Sequence, residues 1–249
     1  MSEREFREDE ILTRLADSGS LSVAGLAVEL GVSEVTIRGD LRSLEQQGRL
    51  TRVRGGAKPL GRHAILRRQQ INVEQKERIA AAAASLISDD DTVMIEAGTT
   101  AALVPRFLAG RKGVQIVTNS ALVFANARVQ PMLSVIVTGG VFRAESESFV
   151  GPLAERAIGD FNTRIAFLGT DGFSAERGLT TRFVEGAKVA ALMQERAEET
   201  WLLADSSKFG AAGFVSFLPL ERVTGVITDS GLEPEAIESL SERTQVRVV

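Results

Sequence analysis

The 249-residue chain has no cysteine and a single histidine, His63. Without thiols it can form neither a disulfide bond nor a thiolate metal site, and one imidazole is too few to build a zinc site from histidines. Long apolar runs are also missing, since none approaches the roughly 20 residues that a membrane-spanning helix needs. The first residues are charged and do not resemble a signal peptide. We therefore expect a cytoplasmic protein with no metal, no cofactor and no membrane partner.

The composition is ordinary for a globular protein, but the charge is unevenly distributed. Hydrophobic residues make up 44% and charged residues 25%, and 249 residues suffice for one or two domains with a sizeable core. The segment 38–68 contains nine Arg or Lys and two acidic residues, whereas the whole chain has a formal net charge of −4. The positive charge is therefore concentrated in one segment, and the acidic remainder would repel DNA.

The segment 31–48, GVSEVTIRGDLRSLEQQG, has the boundaries of a helix of about four turns. Ser33 can cap its first N–H groups, and Gly48 supplies the left-handed residue that ends it. Apolar residues at spacings of four and three share one face: Ile37, Leu41 and Leu44. The opposite face presents Val35, Arg38, Gly39 and Arg42. Such a helix can pack through its apolar face and present its arginines to a partner.

A shorter helix precedes it, capped by Ser22 and ended by Gly31. Two short helices joined in this way form a helix-turn-helix, whose second helix lies in the DNA major groove. The segment 50–54 predicts a strand with two arginines on one side, followed by a Gly55-Gly56 turn. Together these elements predict a winged helix-turn-helix.

We predict DNA contacts from the caps, the exposed helix face and the basic strand. The residues are Ser22, Ser33, Val35, Thr36, Arg38, Gly39, Arg42, Arg52 and Arg54. Arg38 and Arg42 would reach base edges, because Arg to guanine is the commonest specific contact, while Arg52 and Arg54 would hold phosphates. The alternative is an ordinary helical hairpin with surface arginines.

The chain divides into three predicted parts. Residues 1–57 form the winged helix-turn-helix and begin with a helix that a Ser2–Glu5 capping box opens. Residues 58–73 contain Pro59, Gly61 and few apolar residues, which is typical of a linker. Residues 74–249 alternate strand-like and helix-like segments, which predicts a doubly wound, mostly parallel α/β domain. The expected strands are 92–95, 115–117, 133–137, 165–168, 201–204 and 223–227.

Small polar residues follow the predicted strands of the α/β domain. In an open α/β sheet, ligands bind outside the carboxyl ends of the strands. Gly98 lets the backbone approach a ligand, while Thr99 and Thr100 place hydroxyl and N–H groups at a helix N-terminus, which suits phosphate. Other strand ends add an amide, a carboxylate and an ammonium group: Asn119, Asp171 and Lys208. We interpret them as a sugar-phosphate site, the alternative being turn caps and a solvated lysine.

Residues 21–57 resemble the N-terminal domain of the DeoR family of bacterial transcription regulators. That family has V-S-x-x-T-I-R-R-D-L, followed by a wing that ends R-x-H-G-G-A. This chain has Gly39 at the second Arg of the first pattern and Arg54 at the His of the wing. Glycine costs about 1 kcal/mol relative to alanine within a helix. Our hypothesis is that Gly39 lets the helix approach the bases closely, and neutral variation at an exposed position is the alternative.

The resemblance continues through the α/β domain, where six motifs of the family's sensor domain occur in order. They are G-T-T at 98–100, T-N-S at 118–120, G-G with an Arg at 139–143, F-L-G-x-x-G with G-L-T at 167–180, D-S-S-K at 205–208 and I-T-D at 227–229. The resemblance implies effector contacts from Lys76, Glu96, Gly98, Thr99, Thr100, Asn119, Gly139, Gly140, Arg143, Asp171, Gly172 and Lys208. Glu96 stands where the family usually has Asp, which leaves the exact sugar open.

The same domain is similar to ribose-5-phosphate isomerase, which places that enzyme's catalytic Asp at Asp171 and the lysine before its phosphate loop at Lys76. A gapless count places the general-base Glu at Ala190 and the catalytic Lys at Thr181. Because alanine cannot accept a proton, we expect binding without isomerisation and no catalytic residue. A small insertion near Gly178 would instead let Glu185 or Lys188 take those roles.

We therefore expect a transcription regulator, a repressor of a carbohydrate-utilisation operon whose DNA affinity a sugar or sugar phosphate controls. Its partners would be double-stranded operator DNA, a phosphorylated sugar and further copies of itself, as a homodimer or homotetramer, because two half-sites need two heads. One alternative is an isomerase-like enzyme with an accessory DNA-binding head. Another is a DNA-binding module whose α/β half serves only oligomerisation.

Overall fold

The computed structural model describes residues 3–18, 20–59 and 61–249. The chain divides into two compact units, Met1–Ile71 with Ala144–Ser146, and Asn72–Arg143 with Glu147–Val249. The expected fold class is confirmed, since a winged helix-turn-helix is followed by a mostly parallel α/β domain. Across the described ranges, no helix is long and apolar enough to cross a membrane.

The first unit contains helices α1 (Glu3–Ser18), α2 (Val23–Glu29), α3 (Glu34–Gln46) and α4 (Gly61–Gln70). Its strands are β1 (Leu21–Ser22), β2 (Leu50–Val53) and β3 (Gly56–Pro59). They form an antiparallel sheet in the order β1-β3-β2, and the turn between β2 and β3 is the wing. The segment 58–73, predicted as a linker, thus contains helix α4. The domain limits that we drew from the sequence stay a prediction.

The caps predicted for the two helices are confirmed. Ser22 Oγ accepts the N–H of Gly25 at 3.0 Å, and Ser33 Oγ accepts the N–H of Thr36 at 3.1 Å. Gly48 has a φ of 67°, the left-handed conformation that ends α3. The apolar face of α3, formed by Ile37, Leu41 and Leu44, packs into the core of the unit. Its partners there include Ile11, Leu15, Leu26 and Leu50. The capping role predicted for Ser2 falls outside the described residues.

The second unit is built on a seven-stranded sheet in which every strand is parallel to its neighbours. Its strands are β4 (Thr92–Ile95), β5 (Gln115–Thr118), β6 (Ser134–Val137), β9 (Thr163–Leu168), β12 (Ala197–Leu203), β14 (Gly225–Thr228) and β15 (Gln245–Val248). The α-helices are α5 (Val73–Ala84), α6 (Ala121–Ala127), α7 (Pro152–Gly159), α8 (Val184–Glu195) and α9 (Pro234–Ser241). Two apolar clusters are centred on Ile95 and Phe167, and on Met94 and Leu168, because alternate strand residues face opposite sides of the sheet.

Antiparallel additions flank the parallel sheet. A hairpin pairs β7 (Val141–Arg143) with β8 (Ser148–Val150), and a small sheet joins β10 (Gly172–Ser174), β11 (Gly178–Thr181) and β13 (Val215–Leu218). The helix expected after the G-T-T motif is present as a 3₁₀ helix, Ala101–Phe107. It contains Pro105, which has no N–H to donate and is a poor residue for an α-helix interior.

Trp201 of β12 packs over the neighbouring strand. A Cβ built on Gly225 of β14 would lie 2.5 Å from the indole ring, which is closer than any real contact. Glycine at this position is therefore required by the packing of the ring. Trp201 is 7% exposed and its Nε1 donates to Glu199 at 3.1 Å.

The strand order β15-β14-β12-β9-β4-β5-β6 sets the position of a crevice. From β4 the chain adds β5 and β6 on one side, and then β9, β12, β14 and β15 on the other. The direction of winding thus reverses between β4 and β9. In doubly wound sheets the carboxyl ends of the two strands at such a reversal open a cleft for ligands.

Candidate functional site

The first candidate surface is the exposed face of α3. Val35 is 75% exposed, and Arg38, Gly39 and Arg42 are also exposed. Arg38 Nη2 lies 2.6 Å from Glu34 Oε2 one turn earlier, whereas Arg42 has no side-chain partner among the described residues. The predicted apolar and arginine faces of α3 are therefore both present.

Asp40 anchors this helix from behind, which the sequence pattern did not predict. The residue is 3% exposed, and its carboxylate accepts from Arg7 Nε of α1 at 2.5 Å. Donation to Asp40 raises the pKa of Arg7 above its ordinary value. The ion pair ties α3 to α1 on the side away from solvent, so the orientation of the exposed face depends on it.

Gly39 has no packing reason to be glycine. A Cβ built on it meets no atom within 4 Å. Nothing in the described part of the unit therefore excludes a side chain there. This leaves the close approach to DNA as a hypothesis that a substitution can test.

Glu45 of α3 holds the wing. Its carboxylate accepts the backbone N–H of Arg52 at 3.0 Å and lies 3.5 Å from Arg52 Nη1. Arg54 is exposed in the turn that follows β2, next to Gly55 with a φ of 79°. Gly56 is required, since a Cβ there would lie 1.9 Å from the carbonyl oxygen of Leu21. The wing is thus fixed to α3, and Arg54 extends into solvent.

The second candidate site lies where β4 and β9 end. Glu96 follows β4, is 9% exposed, and accepts the backbone N–H of Gly169, which follows β9, at 3.1 Å. A Cβ on Gly98 would lie 3.8 Å from Gly169 Cα. The two loops therefore run side by side, and Glu96 joins them across the reversal point.

The G-T-T loop presents backbone donors. The N–H groups of Gly98, Thr99, Thr100 and Ala101 have no hydrogen-bond acceptor in the described part of the chain. Ala97 N–H just before them donates to Asn119 Oδ1 at 3.0 Å. Consecutive N–H groups without an acceptor at the start of a helix are a favourable place for an anion.

Asn119 is part of the scaffold. It is 1% exposed, and its amide also donates to the carbonyl of Phe149 at 3.2 Å. Both polar groups of the side chain thus bond within the protein, where they fix the G-T-T loop against the β7–β8 hairpin. Its predicted contact with an effector stays a prediction.

Asp171 and Arg143 are bonded to the same short segment, 181–185. Asp171 Oδ2 accepts the N–H of Arg182 at 2.9 Å and the hydroxyl of Thr181 at 3.2 Å. Arg143 Nη2 lies 3.0 Å from Glu185 Oε1, and its guanidinium stacks on the ring of Phe183 at 4.5 Å. The carboxylate of Asp171 and the guanidinium of Arg143 therefore each contact this segment. The side chains of the segment itself were not predicted as effector contacts.

The D-S-S-K loop is shaped by two buried carboxylates. Asp205 accepts from Asn72 Nδ2 at 3.0 Å, and Asp229 accepts the N–H of Ser206 at 2.7 Å and that of Gly231 at 2.9 Å. Burial opposes the ionisation of Asp229, but these donors outweigh it and lower its pKa. The loop ends at Lys208, which is half-buried and whose ammonium has no partner among the described residues. It supplies positive charge at the end of β12.

Three predicted glycines differ in their surroundings. A Cβ on Gly172 would lie 2.1 Å from the carbonyl oxygen of Ala211, and one on Gly140 would lie 2.7 Å from that of Val150. Packing alone requires glycine at both positions. Gly139 has open space around it and a φ of 66°. Lys76 is 4% exposed on α5. The effector roles of these residues stay predictions.

The two residues at the positions of the isomerase's general base and catalytic lysine, Ala190 and Thr181, have structural contacts. Ala190 of α8 is 2% exposed and packs in the core beside Leu168 and Met193. Thr181 donates to Asp171. Within the described ranges, no cluster of three or more acidic or histidine side chains could hold a metal ion.

Comparison with known domains agrees with this architecture. The DeoR-like helix-turn-helix domain matches residues 7–61, and the DeoR C terminal sensor domain matches residues 71–230. The fold and its two surfaces define a DNA-binding regulator with a sensor domain. The chain belongs to the DeoR family of transcriptional regulators, as its motifs predicted.

Relatives match along nearly the whole chain. The HTH-type transcriptional regulator GlpR of Haloferax volcanii is 36% identical over 98% of this chain and 96% of its own length. The lactose phosphotransferase system repressor of Lactococcus lactis is 33% identical over 96% of both chains. Among solved structures, ribose 5-phosphate isomerase A from Methanocaldococcus jannaschii matches 55% of each chain at 20% identity, with a TM-score of 0.42.

Proposed function

We propose that this regulator represses a carbohydrate-utilisation operon and that a sugar phosphate controls its affinity for operator DNA. The observation that carries the proposal is that one chain contains both an arginine-bearing helix α3 and an anion-favouring loop at the reversal point of the sheet. The relatives named as repressors, one of them of a lactose phosphotransferase system, support the carbohydrate assignment.

The proposed effector is phosphorylated because the site combines backbone donors with cations. The N–H groups of 98–101, the ammonium of Lys208 and the guanidinium of Arg143 would favour phosphate. The carboxylates of Glu96 and Asp171 would accept hydrogen bonds from sugar hydroxyls. For regulation, the effector must bind the DNA-bound and released conformations with different affinities.

We propose that the sensor binds its sugar phosphate without converting it. Ala190 cannot act as a base, and Thr181 is engaged with Asp171. Incubation of the protein with ribose 5-phosphate should give no ketose. Turnover that Asp171→Ala abolishes would instead support an isomerase-like enzyme.

We propose at least a dimer, either a homodimer or a homotetramer, working in the cytoplasm where operator DNA lies. Helix-turn-helix proteins read two half-sites one helical turn apart, which requires two copies of α3. Light scattering of the purified chain should give a mass of two or four protomers. A monomer that binds a palindromic operator with full affinity would contradict this.

The test of the whole proposal has two arms. Operator fragments from carbohydrate genes should bind in a fluorescence anisotropy titration, and one member of a sugar-phosphate panel should shift that binding. In a thermal-shift screen the same compound at 100 times its Kd should stabilise the protein by about 2.7 kcal/mol. If the α/β domain serves only oligomerisation, no sugar phosphate will raise the melting temperature.

A further inference from the structure

Arg143 is held in place before any ligand binds. Its guanidinium lies 4.5 Å from the ring centroid of Phe183, and its Nη2 lies 3.0 Å from Glu185 Oε1. The side chain is 24% exposed, and its Nε is buried with no acceptor among the residues that the structure describes. The aromatic ring fixes the plane of the cation, and the carboxylate neutralises it.

Glu185 can leave this contact more easily than Arg143 can. Its side chain is 47% exposed, whereas that of Arg143 is packed against Phe183. An ion pair with an exposed partner contributes little free energy, because water solvates the carboxylate almost as well. A doubly charged phosphate offers more acceptor oxygens to a guanidinium than a carboxylate does. Arg143 is thus a fixed cation with an exchangeable anion.

The position of Glu185 connects this exchange to the candidate ligand site. The segment 181–185 that carries Glu185 also donates two hydrogen bonds to Asp171, which follows β9 at the reversal point. Arg143 is the last residue of β7, and the chain continues directly into Ala144–Ser146, which belongs to the first unit.

We propose that Glu185 is a positioning residue that competes internally with the effector for Arg143. In the protein without ligand, the Glu185 carboxylate occupies the place beside the Arg143 guanidinium. An anionic group of the effector takes that place on binding. The proposal rests on the phosphorylated effector proposed above and adds the residue that sets its affinity. Phe183 thus keeps Arg143 in place, and Glu185 raises the effector concentration needed for a response.

Isothermal titration of the full chain with inorganic phosphate, and separately with ribose 5-phosphate, tests this. Glu185→Gln should bind the phosphate probe about two- to fivefold more tightly than the natural chain, because the competing charge is gone. Arg143→Gln should bind it at least about tenfold more weakly, since a charge-assisted contact is lost. A contact with only a structural role would not produce a gain of affinity on removal of Glu185.

Glu195→Gln is the matched control, because it removes the same charge from the exposed end of the same helix. It should bind the phosphate probes as the natural chain does, and Glu185→Asp should restore their natural affinity. The proposal is overturned if Glu185→Gln binds no more tightly than the natural chain, if both glutamine variants tighten equally, or if no variant binds either probe. Failure of the proposed function is a separate result, namely that no sugar phosphate alters operator affinity.

Discussion

At the scale of single residues, the two arginines on α3 differ in what holds them before DNA arrives. Arg42 has no partner in the described part of the unit, whereas Arg38 must first leave Glu34. We expect Arg42→Ala to weaken operator binding about 5- to 150-fold, the equivalent of about 1–3 kcal/mol for a good base contact. Arg38→Ala should weaken operator binding less, because Arg38 must give up its ion pair with Glu34 before it contacts DNA, and that loss offsets part of the contact's free energy.

Anisotropy titrations with operator and random duplexes measure both effects. Arg128→Ala removes the same charge from an exposed position in the second unit and should leave operator affinity unchanged. If neither α3 variant loses preference for the operator over random DNA, the base-reading role of these arginines is wrong.

Gly39 allows folding and DNA binding to be separated in one substitution. The Cβ of Gly39→Ala meets open space, so the helix should gain about 1 kcal/mol of stability. If glycine serves close approach to the bases, the same variant should bind operator more weakly while melting at a higher temperature. Unchanged operator affinity would support neutral variation at this position.

Asp229 gives the second unit a predictable response to acid. Its pKa is lowered in the folded protein, so its stabilising effect is complete above the unfolded value of about 3.9 and is lost as pH falls through the lowered pKa. Asp229→Asn should therefore destabilise the protein at pH 7 and much less at pH 2–3. Urea unfolding at both values measures the difference, with Asp160→Asn at an exposed position as the control. An equal loss at both pH values would contradict the linkage.

At the scale of secondary-structure elements, α3 depends on α1 for its orientation. Asp40→Ala removes the acceptor for Arg7 and should cost about 1.5–3 kcal/mol, the usual value of a hydrogen bond to a charged group. Urea denaturation measures the loss, and operator affinity should fall with it. Arg7→Leu combined with Asp40→Leu should recover part of the stability, because the pair is replaced by apolar contact. A double variant less stable than either single variant would show that the pair has another role.

Local patterns predicted the elements whose signals lie within a few residues. The caps and spacing of α2 and α3 and six of the seven parallel strands are of this kind. The edge strand β15 was not predicted. The β7–β8 hairpin and the β10–β11 pair are local but were also missed, since their strands are only three or four residues long and carry little alternation of apolar and polar residues. The pairing of β13 with β11 was missed, because it joins residues more than thirty positions apart. Asp40 was missed for the same reason, since its partner Arg7 lies 33 positions away.

The candidate ligand site was predictable in position and less so in detail. Strand ends fixed where Gly98, Asn119 and Lys208 lie, because parallel strands all end at one edge of the sheet. Which side chains bond to each other there depends on loops that meet only in the folded protein. Phe183 gave no signal in the sequence, and Glu185 was considered only as a substitute base. Both residues contact Arg143, which is distant in sequence and comes next to them only in the folded protein.

At the scale of the whole molecule, charge separation sets how DNA binding responds to salt. The segment 38–68 carries nine basic and two acidic residues in a chain of net charge −4. Operator affinity should fall steeply with salt as phosphate contacts release counterions. Replacing Arg54 by alanine should reduce the slope of log K against log salt by about one and weaken operator and random DNA alike. An unchanged slope would mean that the wing does not touch phosphate.

The last consequence concerns Trp201, the only tryptophan of a chain that has no tyrosine. Its buried ring against Gly225 makes intrinsic fluorescence a reporter of the second unit alone. Excitation at the red edge of indole absorption will therefore follow the melting of the second unit and remain blind to the helices of the first unit, whereas far-ultraviolet dichroism reports the helices of both units. Comparing the two signals shows directly whether the halves of this protein unfold together or one after the other.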